Sequence, residues 1–298
     1  MNRLQIDRCP LCGGQQLKHA LTCTDYYASG EQFEVCSCVQ CGFLFTQNVP
    51  VEAEIGKYYE TPDYISHSDT HKGLMNRVYH WVRRWMLLQK ASLVKHTSRL
   101  SEGHLLDYGT GTGYFADIMT RKGWNVKAIE KNPKARAFAK QQFDLEVDAE
   151  TALPAYTDAS FDVVTLWHVL EHVEHLNEMW RTLHRVLKEK GVLIIAVPNP
   201  TSYDAMKYGE WWAAYDVPRH LWHFTPSVIQ QFGVKHGFVL EEERPMPFDA
   251  FYVSMLTEKY KGNRLSFIRG MWTGTKAWFS ALNKKERSSS MIYVFRKK

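Results

Sequence analysis

The sequence predicts an α/β protein in which a small cysteine-rich module precedes a doubly wound, mostly parallel sheet. Short apolar runs alternate with helical patterns from residue 103 onward, and a glycine-rich turn follows the first run, which is the pattern of such a sheet. All six cysteines lie within the first 41 residues. We therefore divide the chain into a cysteine-rich module over residues 1–50, a linker with lid helices over residues 51–100, and a main domain over residues 101–298.

The composition is typical of a globular protein, because hydrophobic residues make up 45% of the 298 residues. No apolar run approaches the roughly 18 residues that a membrane span needs. The start of the chain, MNRLQIDRCP, lacks the apolar core of a secretory signal. We therefore expect a cytoplasmic protein without a transmembrane segment.

The net charge of +5 is unevenly distributed along the chain. Residues 261–298 contain ten Lys and Arg residues against the single acid Glu286, and residues 72–99 contain seven and no acid. Such segments suit an anionic substrate, nucleic acid or a membrane surface. The alternative is that they form solvated helix faces.

Two Cys-x-x-Cys motifs, CPLC and CVQC, predict one structural zinc site in the first module, which then resembles a zinc ribbon. Thiolates three positions apart in a tight turn can reach one ion, and Gly13 and Gly42 give the two turns the backbone freedom they need. A coordination sphere filled by protein ligands leaves no open position for catalysis. The alternatives are a redox-active thiol pair, or Cys36 in place of Cys38. The predicted ligands are Cys9, Cys12, Cys38 and Cys41.

Seven strands are predicted for the main sheet. The parallel ones are HLLDYG, NVKAIEKN, LEVDAE, FDVVTLWH and GVLIIAVPN, whose apolar runs are typical of strands covered on both faces. GFVLEEER and the C-terminal SSMIYVFRKK add two more. Among the helices between the strands, one starts at Pro133, and Gly123 and Gly191 are expected to end two others. Residues 31–47 predict a hairpin in the cysteine-rich module.

A helix predicted within residues 51–100 carries an apolar stripe with spacings of four, three, four and three. We expect this stripe to lie in the core or on a packed lid face. Tyr58, Tyr59 and Tyr64 precede the helix and are expected to pack. The stripe consists of Leu74, Val78, Trp81, Trp85 and Leu88.

The loop after the first strand reads Asp107-x-Gly109-x-Gly111-x-Gly113. A dinucleotide-binding loop has the pattern G-x-G-x-x-G/A, and Tyr114 stands where its last small residue is needed. The carboxylate of Asp107 repels a pyrophosphate, whereas S-adenosylmethionine presents an ammonium and a sulfonium that a carboxylate attracts. The loop therefore favours S-adenosylmethionine over a dinucleotide.

Two further acids follow the second and third strands. Glu130 stands where a carboxylate can accept both hydroxyls of a ribose, a position that fits NAD equally well. Asp148 can accept a hydrogen bond from an adenine amino group, and its alternative role is a helix cap. Together with the glycine loop, these acids outline a cofactor site.

Four segments of residues 103–245 together resemble the class I S-adenosylmethionine-dependent methyltransferases: LLDYGTGTG, AIEKN, VDAETALPAYTDASFDVVTLWHVLEHV and LHRVLKEKGVLIIAVPN. The resemblance implies a Rossmann-like, seven-stranded methyltransferase sheet with S-adenosylmethionine as the cofactor. Many relatives have glycine before the acid of the third strand, where this chain has Val147. The implied cofactor contacts, with Gly113 completing the loop, come from Asp107, Gly109, Gly111, Glu130, Asp148 and the backbone near Ala149 and His168.

Residues 199–226 form the candidate acceptor site, because acceptor sites in such sheets lie beyond the carboxyl ends of the strands and long loops are usually functional. Combined with the zinc module, the sequence RHLWHFT resembles sugar C-methyltransferases that act on nucleotide-linked sugars. The resemblance implies His220 as the base, a role that suits an imidazole with an ordinary pKa of about 6.5. Arg219, which stands where that family has a glutamate, can pair with a phosphate or carboxylate, and His223 is assigned to substrate binding. The alternative is that His220 and His223 only hydrogen-bond the loop to the sheet, and His172 is interpreted as structural.

Three functions are consistent with these motifs. The preferred one is methylation of an anionic small molecule, such as a phosphate-bearing sugar or a related cell-envelope precursor. The second is methylation of a ribosomal RNA base, since some such enzymes also carry an N-terminal four-ligand zinc module and the two basic segments would bind RNA. The third, a zinc-ribbon binding protein with a degenerate cofactor domain, is disfavoured by the retained acids and glycines.

Overall fold

The computed structural model describes residues 3–51, 53–59, 74–246 and 248–298, with side chains from residue 81 onward in the third range. Tyr64 and the side chains of Leu74 and Val78 therefore lie outside the described residues. The strands are β1 (Arg3–Leu4), β2 (Leu17–Thr24), β3 (Gln32–Cys38), β4 (Leu44–Thr46), β5 (Val49–Pro50), β6 (His104–Tyr108), β7 (Asn125–Ile129), β8 (Val147–Asp148), β9 (Phe161–Trp167), β10 (Leu187–Pro198), β11 (Trp222–His223), β12 (Phe238–Pro245) and β13 (Ser290–Lys297). The α-helices are α1 (Leu74–Ser98), α2 (Tyr114–Arg121), α3 (Pro133–Phe143), α4 (Leu176–Val186), α5 (Tyr203–Tyr208), α6 (Pro226–Lys235), α7 (Asp249–Tyr260) and α8 (Ser266–Asn283).

Among the described residues, the main sheet has the seven strands that the sequence predicts, and their order is β12-β13-β10-β9-β6-β7-β8. Five neighbouring strands are parallel to one another: β10, β9, β6, β7 and β8. Strand β13 lies antiparallel to both β10 and β12. The third predicted strand is shorter than expected, since only Val147 and Asp148 pair with β7. The carboxyl ends of the parallel strands lie on one edge, where a doubly wound sheet binds its ligands.

Both faces of this sheet are covered, which explains the unbroken apolar runs of its central strands. Successive residues of a strand point to opposite faces. Leu193 and Ile195 of β10 accordingly share a core with Trp180 of α4, whereas Val192 and Ile194 pack in the core that α1 and α2 cover.

Local signals set several helix ends. The Asn132 side chain accepts hydrogen bonds from the backbone N–H groups of Lys134 and Ala135, and Pro133 takes the first helical position of α3. Gly123 follows α2 with a φ of 90°, which confirms it as a stop. The expectation for Gly191 is wrong, because α4 ends at Val186 and β10 begins at the next residue. The left-handed residue nearby is Lys190, with a φ of 61°.

The cysteine-rich module shares a sheet with the main domain. The predicted hairpin is present as β3 and β4, and this second sheet has the order β11-β4-β3-β2. Phe43 and Phe45 of the module pack against Trp222 of β11. Packing is therefore continuous across residue 50, and the boundary placed there stays a prediction.

The apolar stripe of α1 is not a core stripe in the part that is described. Trp81, Trp85 and Leu88 are 68%, 38% and 44% exposed, whereas Ala91 and Val94 are buried. The sequence period identifies an apolar stripe but not the neighbour that covers it, so the expected burial is wrong for these side chains. Among the described residues, no helix has the length and apolarity to cross a membrane.

Candidate functional site

The glycine loop joins β6 to α2 and packs closely on two sides. Gly109, Gly111 and Gly113 all have φ between 58° and 83°, a region that glycine adopts readily. A Cβ on Gly109 would lie 2.4 Å from Cγ2 of Val169, and one on Gly113 would lie 2.9 Å from Cβ of Ala139. A Cβ on Gly111 would have nothing within 4 Å. The loop is thus fixed by packing at its ends and open at its centre.

Asp107 lies at the end of β6, beneath this loop, and is only 1% exposed. Its Oδ1 accepts a hydrogen bond from the Thr165 hydroxyl at 2.7 Å. Its Oδ2 makes no regular hydrogen bond among the described residues, although the nearby Thr110 hydroxyl interacts with the carboxyl. Burial raises the pKa of this carboxyl above its ordinary value. The Thr110 hydroxyl is also without a regular partner, so this buried pair retains hydrogen-bonding capacity for a ligand.

Lys90 of α1 brings a cation to the same place. Its Nζ lies 4.3 Å from the ring centroid of Trp167. Burial lowers the pKa of Lys90, and the negative charges of Asp107 and Asp249 oppose that shift. The sequence identifies Lys90 only as part of a basic segment, because a single lysine in a helix carries no local signal of its tertiary neighbours.

Glu130 and Asp148 meet at the ends of β7 and β8. The two carboxylate oxygens of Glu130 each accept a backbone N–H at 2.8 Å, one from Gly111 and one from Asn132. Asp148 accepts the Tyr156 hydroxyl at 2.6 Å, and its carbonyl oxygen accepts the backbone N–H of Glu130.

Ala149 follows Asp148 directly and precedes a short 3₁₀ helix. The structure therefore brings the predicted residues of three strand ends to one edge of the sheet.

His168 follows β9 in a left-handed conformation, with a φ of 59°. Its Nε2 lies 3.2 Å from Oδ2 of Asp249, and its Nδ1 lies 3.5 Å from Oε1 of Glu171. Burial alone lowers the pKa of His168, but the two carboxylates outweigh it and raise the pKa to about 9. The side chain is therefore an imidazolium that ties α7 to the end of β9.

Glu171, His172 and His220 form a compact group beyond the end of β9. Their ligand atoms lie within 4.8 Å of one another, and Glu171 is completely buried. His172 Nδ1 and His220 Nδ1 each lie 2.9 Å from a backbone carbonyl oxygen, of Arg219 and Ala214 respectively. Because a carbonyl oxygen only accepts, each Nδ1 carries the proton, and Nε2 is left as the basic nitrogen of the neutral ring.

The electrostatics of this group favour an ionised Glu171 beside a neutral His172 ring. Burial and the neighbouring His220 lower the pKa of His172 to about 4. Burial acts to raise the pKa of Glu171, but the nearby imidazoles hold it below its ordinary value. The group can accept a proton or hold a cation. The sequence alone favours a structural role for His172 and does not single out Glu171, because the third member of the group comes from a loop 48 positions after His172.

Arg219 is buried and held entirely within the protein. Its guanidinium donates to Asp25 at 3.0 Å, to Asp216 at 2.6 Å and to the carbonyl oxygen of Tyr58 at 2.9 Å. These contacts link residues 199–226 to the cysteine-rich module. The predicted contact of Arg219 with an acceptor stays a prediction, and its charge is already balanced by two carboxylates.

His223 makes a similar internal link. The Thr46 hydroxyl donates to the carbonyl oxygen of His220 at 2.7 Å, so it accepts from Nε2 of His223 at 3.0 Å. Burial lowers the pKa of His223 to about 3, which keeps the ring neutral. The assignment of His223 to substrate binding stays a prediction, and the observed hydrogen bond matches the alternative structural role.

The two Cys-x-x-Cys motifs form matching turns that bring four sulfurs together. In each turn the glycine after the second cysteine has a φ near 75° and donates its N–H to the carbonyl oxygen of the first cysteine at 2.8 Å. The Sγ atoms of Cys9 and Cys41 lie 3.5 Å apart, as do those of Cys12 and Cys38. Tetrahedral zinc with Zn–S bonds of about 2.3 Å separates its sulfurs by about 3.8 Å. The donor set and spacing therefore fit a zinc ion.

The family described as "Methyltransferase domain" matches residues 82–243, more than half of the chain, and the chain belongs to this family. A ubiquinone biosynthesis O-methyltransferase of Rickettsia typhi is 30% identical over 146 residues, which are 46% of this chain and 58% of that protein. One of Caulobacter vibrioides is 39% identical over 104 residues, 33% of this chain and 41% of that protein. The chain thus spans less than two thirds of the length of these curated relatives. A solved SAM dependent methyltransferase from Archaeoglobus fulgidus is 18% identical with a TM-score of 0.48, covering 78% of this chain and 99% of that one.

Proposed function

We propose that the protein is an S-adenosylmethionine-dependent methyltransferase that acts on a small molecule. The observation that carries this proposal is the buried carboxylate of Asp107, whose Oδ2 makes no regular hydrogen bond among the described residues, beside an open glycine loop. Leaving such an atom unpaired is costly. The ammonium of S-adenosylmethionine is a suitable donor, whereas a pyrophosphate would be repelled. Membership of the methyltransferase-domain family supports the same assignment.

The residues around the loop suit the amino-acid end and the ribose of this cofactor. Lys90 supplies a cation for the cofactor's carboxylate, next to the Asp107 carboxylate for its ammonium. Glu130 holds Gly111 and Asn132 but keeps further lone pairs for ribose hydroxyls. When bound, S-adenosylmethionine supplies a methyl group on an electrophilic sulfonium.

The adenine side of the cofactor is assigned to Asp148 and the backbone of Ala149. Asp148 sits at the end of β8 and has one oxygen engaged by Tyr156, so the carboxylate retains acceptor capacity for an adenine amino group. The backbone of His168 completes the set at the end of β9, while its side chain serves the ion pair with Asp249.

His220 is proposed as the base that takes a proton from the acceptor. Its Nδ1 donates to the carbonyl oxygen of Ala214, which orients the ring and leaves Nε2 to accept the proton. The buried carboxylate of Glu171 stabilises the imidazolium that then forms. Val169, two residues before Glu171, contacts the glycine loop. The group of Glu171, His172 and His220 therefore lies at the same edge of the sheet as the glycine loop.

A hydroxyl group of a small molecule is the acceptor that we favour. The relatives of more than 30% identity are named O-methyltransferases, and a hydroxyl must lose a proton on methylation, which gives the base a task. The phosphate-bearing sugar stays a prediction. RNA as the acceptor stays a prediction that rests on the basic segments, and no observation at the candidate site favours RNA or the non-catalytic binding role.

The cofactor assignment is tested by calorimetry with S-adenosylhomocysteine. We expect Asp107→Asn to weaken binding at least tenfold at an unchanged melting temperature, because the charge is lost and the shape is kept. Asp158→Asn, an exposed aspartate paired with Arg185, serves as the matched control and should bind like the unaltered protein. Equal affinities of all three proteins would contradict the proposal.

The base is tested by transfer of labelled methyl groups from S-adenosylmethionine to a small-molecule extract freed of RNA. His220→Gln should reduce transfer by about 10² to 10⁴-fold and leave the affinity for S-adenosylhomocysteine within about twofold. His19→Gln, an exposed histidine of β2, is the control. A fully active His220→Gln protein would return His220 to a structural role. In a parallel assay with added RNA, label that enters the RNA but not the extract would replace the acceptor class.

The four-cysteine group is proposed as a structural zinc site that holds the two turns together. The purified protein should contain about one zinc ion per chain by elemental analysis. Cys12→Ser should lose most of this zinc and lower the melting temperature, whereas Cys23→Ser should keep it, because Cys23 lies outside the group. Zinc retained at full occupancy by Cys12→Ser would contradict this assignment.

A further inference from the structure

The helix α8 turns small residues toward the protein. Its buried positions are Gly270, Thr273, Gly274, Ala277 and Ala281. A Cβ on Gly270 would lie 2.5 Å from the Cα of Met255, and one on Gly274 would lie 2.8 Å from the Cα of Phe251. The backbones of α8 and α7 are therefore packed as closely as glycine permits.

Another side of α8 is apolar and exposed. At about 100° per residue, its large side chains fall within an arc of about 140° whose centre lies about 130° around the helix from that of the buried positions, and the polar residue within this arc is Thr275. The arc also contains Met271 (37% exposed), and we define its other large residues as the α8 outer face: Phe267 (54% exposed), Ile268 (61%), Trp272 (62%), Trp278 (36%), Phe279 (56%) and Leu282 (64%).

This distribution of residues is the reverse of the one found in a helix whose outer face meets water. Surface helices place large apolar residues inward and polar residues outward. Small residues between helices with large apolar residues outside are typical of helices that face lipid. Aromatic side chains on an exposed apolar face are also common where a helix lies at a membrane surface.

The surroundings of the outer face are strongly basic. Glu286 is the one acid in residues 259–287. The basic side chains of this segment are all exposed: Lys259, Lys261, Arg264, Arg269, Lys276, Lys284, Lys285 and Arg287. Arg269 and Lys276 fall next to Trp272 at the edge of the apolar arc, and Lys276 Nζ lies 4.9 Å from the Trp272 ring centroid.

The basic residues around the α8 outer face indicate which kind of partner can bind there. A second copy of this chain, docked through the same face, would bring two basic rims together, because a symmetric contact pairs a surface with itself. An anionic lipid surface offers both the apolar layer for the aromatic side chains and the phosphates for the basic rim. No helix among the described residues is suited to span a bilayer, so the fitting arrangement is a helix lying in the interface.

We propose that the α8 outer face binds the surface of an anionic lipid bilayer, with α8 parallel to the membrane plane. The face belongs to the α7 and α8 pair, whose first residue, Asp249, is held 3.2 Å from His168 at the candidate site. Membrane attachment therefore places the cofactor edge of the sheet near lipid-borne molecules. The proposal is independent of the proposed function, since it concerns binding alone.

The test is co-sedimentation of the full chain with vesicles of phosphatidylglycerol and phosphatidylcholine, compared with phosphatidylcholine alone. We expect binding to the anionic vesicles, and at least tenfold weaker binding to the neutral ones or at high salt. Trp272→Ser combined with Phe279→Ser should weaken binding at least tenfold at an unchanged melting temperature. The matched control is Met206→Ser combined with Val234→Ser, which removes exposed apolar side chains of α5 and α6 and should bind like the unaltered protein.

Absence of binding to anionic vesicles would overturn the proposal, as would equal binding by the outer-face variant and the control. A concentration-dependent dimer that the outer-face variant abolishes, without vesicle binding, would assign the face to self-association instead. Arg269→Glu combined with Lys276→Glu should also weaken binding to anionic vesicles, and undiminished binding would contradict the role of the basic rim.

Discussion

Helices α4 and α8 are both amphipathic, yet they bury opposite kinds of residue. Helix α4 buries Leu176, Met179, Trp180, Leu183 and Val186 against the sheet. Helix α8 buries glycine, alanine and threonine against α7 and leaves its aromatic residues outside. The two helices thus follow different rules for which face is covered.

The difference shows that an apolar residue in a helix is not necessarily a core residue. In α4, large side chains fill the space between helix and sheet, where burial of each contributes about 1.5–3 kcal/mol. In α8, close approach of two backbones replaces side-chain filling, and the large residues remain available for a partner. Three substitutions distinguish these two modes of packing, and a fourth tests how α7 is attached to the sheet; they are taken here from the largest expected effect to the smallest.

Removal of the Trp180 side chain should break the α4 packing. The ring is fully buried between Phe232, Phe238 and Phe295, so Trp180→Ala should lower the free energy of unfolding by roughly 3–5 kcal/mol. Urea denaturation measures this value. Trp180→Phe, which keeps most of the ring contacts, should cost clearly less; equal losses for the two variants would show that the cavity is not the cause.

A methyl group added on the inner face of α8 should force α7 and α8 apart. Gly270→Ala should destabilise the protein by roughly 1–3 kcal/mol through overpacking, although alanine favours an isolated helix by about 1 kcal/mol. Thermal and urea unfolding measure whether the substitution lowers or raises the free energy of unfolding. Asn283→Ala at the exposed end of the same helix is the control, and a stabilised Gly270→Ala protein would show that the contact with Met255 relaxes freely.

The attachment of α7 to the sheet should depend on pH. Burial lowers the pKa of His168, but Asp249 and Glu171 raise it to about 9, above the ordinary value of about 6.5 in an unfolded chain. The ion pair therefore stabilises the fold fully below about pH 6.5 and less as the pH rises through 9. Unfolding free energies from pH 6 to 10 should fall more for the unaltered protein than for Asp249→Asn, with the exposed Asp144→Asn as control. Parallel pH profiles for the unaltered protein and Asp249→Asn would argue against this pair.

Substitutions on the outer face of α8 should leave stability almost unchanged. Trp272 is 62% exposed, and changes at such positions usually alter stability by less than about 0.5 kcal/mol. Trp272→Ala should therefore unfold like the unaltered protein in urea, in contrast to Trp180→Ala. A loss comparable to that of Trp180→Ala would mean that this indole belongs to the folded core.

Much of the cofactor edge could be predicted from sequence because its residues follow successive strands. Asp107, Glu130 and Asp148 each stand at a strand end, and parallel strands bring those ends together. The cysteine turns carry a similar local signal in their spacing. Lys90 and Glu171 could not be found in this way, since each acquires its neighbours only when distant elements pack.

The sequence by itself determined the order of strands and helices, the glycine loop and the two cysteine turns. These features arise from hydrophobic periodicity, backbone freedom and short spacings, which act between residues near one another in the chain. Only the tertiary structure decided that Arg219 and His223 bind the cysteine-rich module, that His220 joins Glu171, and that α8 turns its large residues outward. Those outcomes depend on which surfaces meet across long sequence distances, and no local pattern specifies that choice.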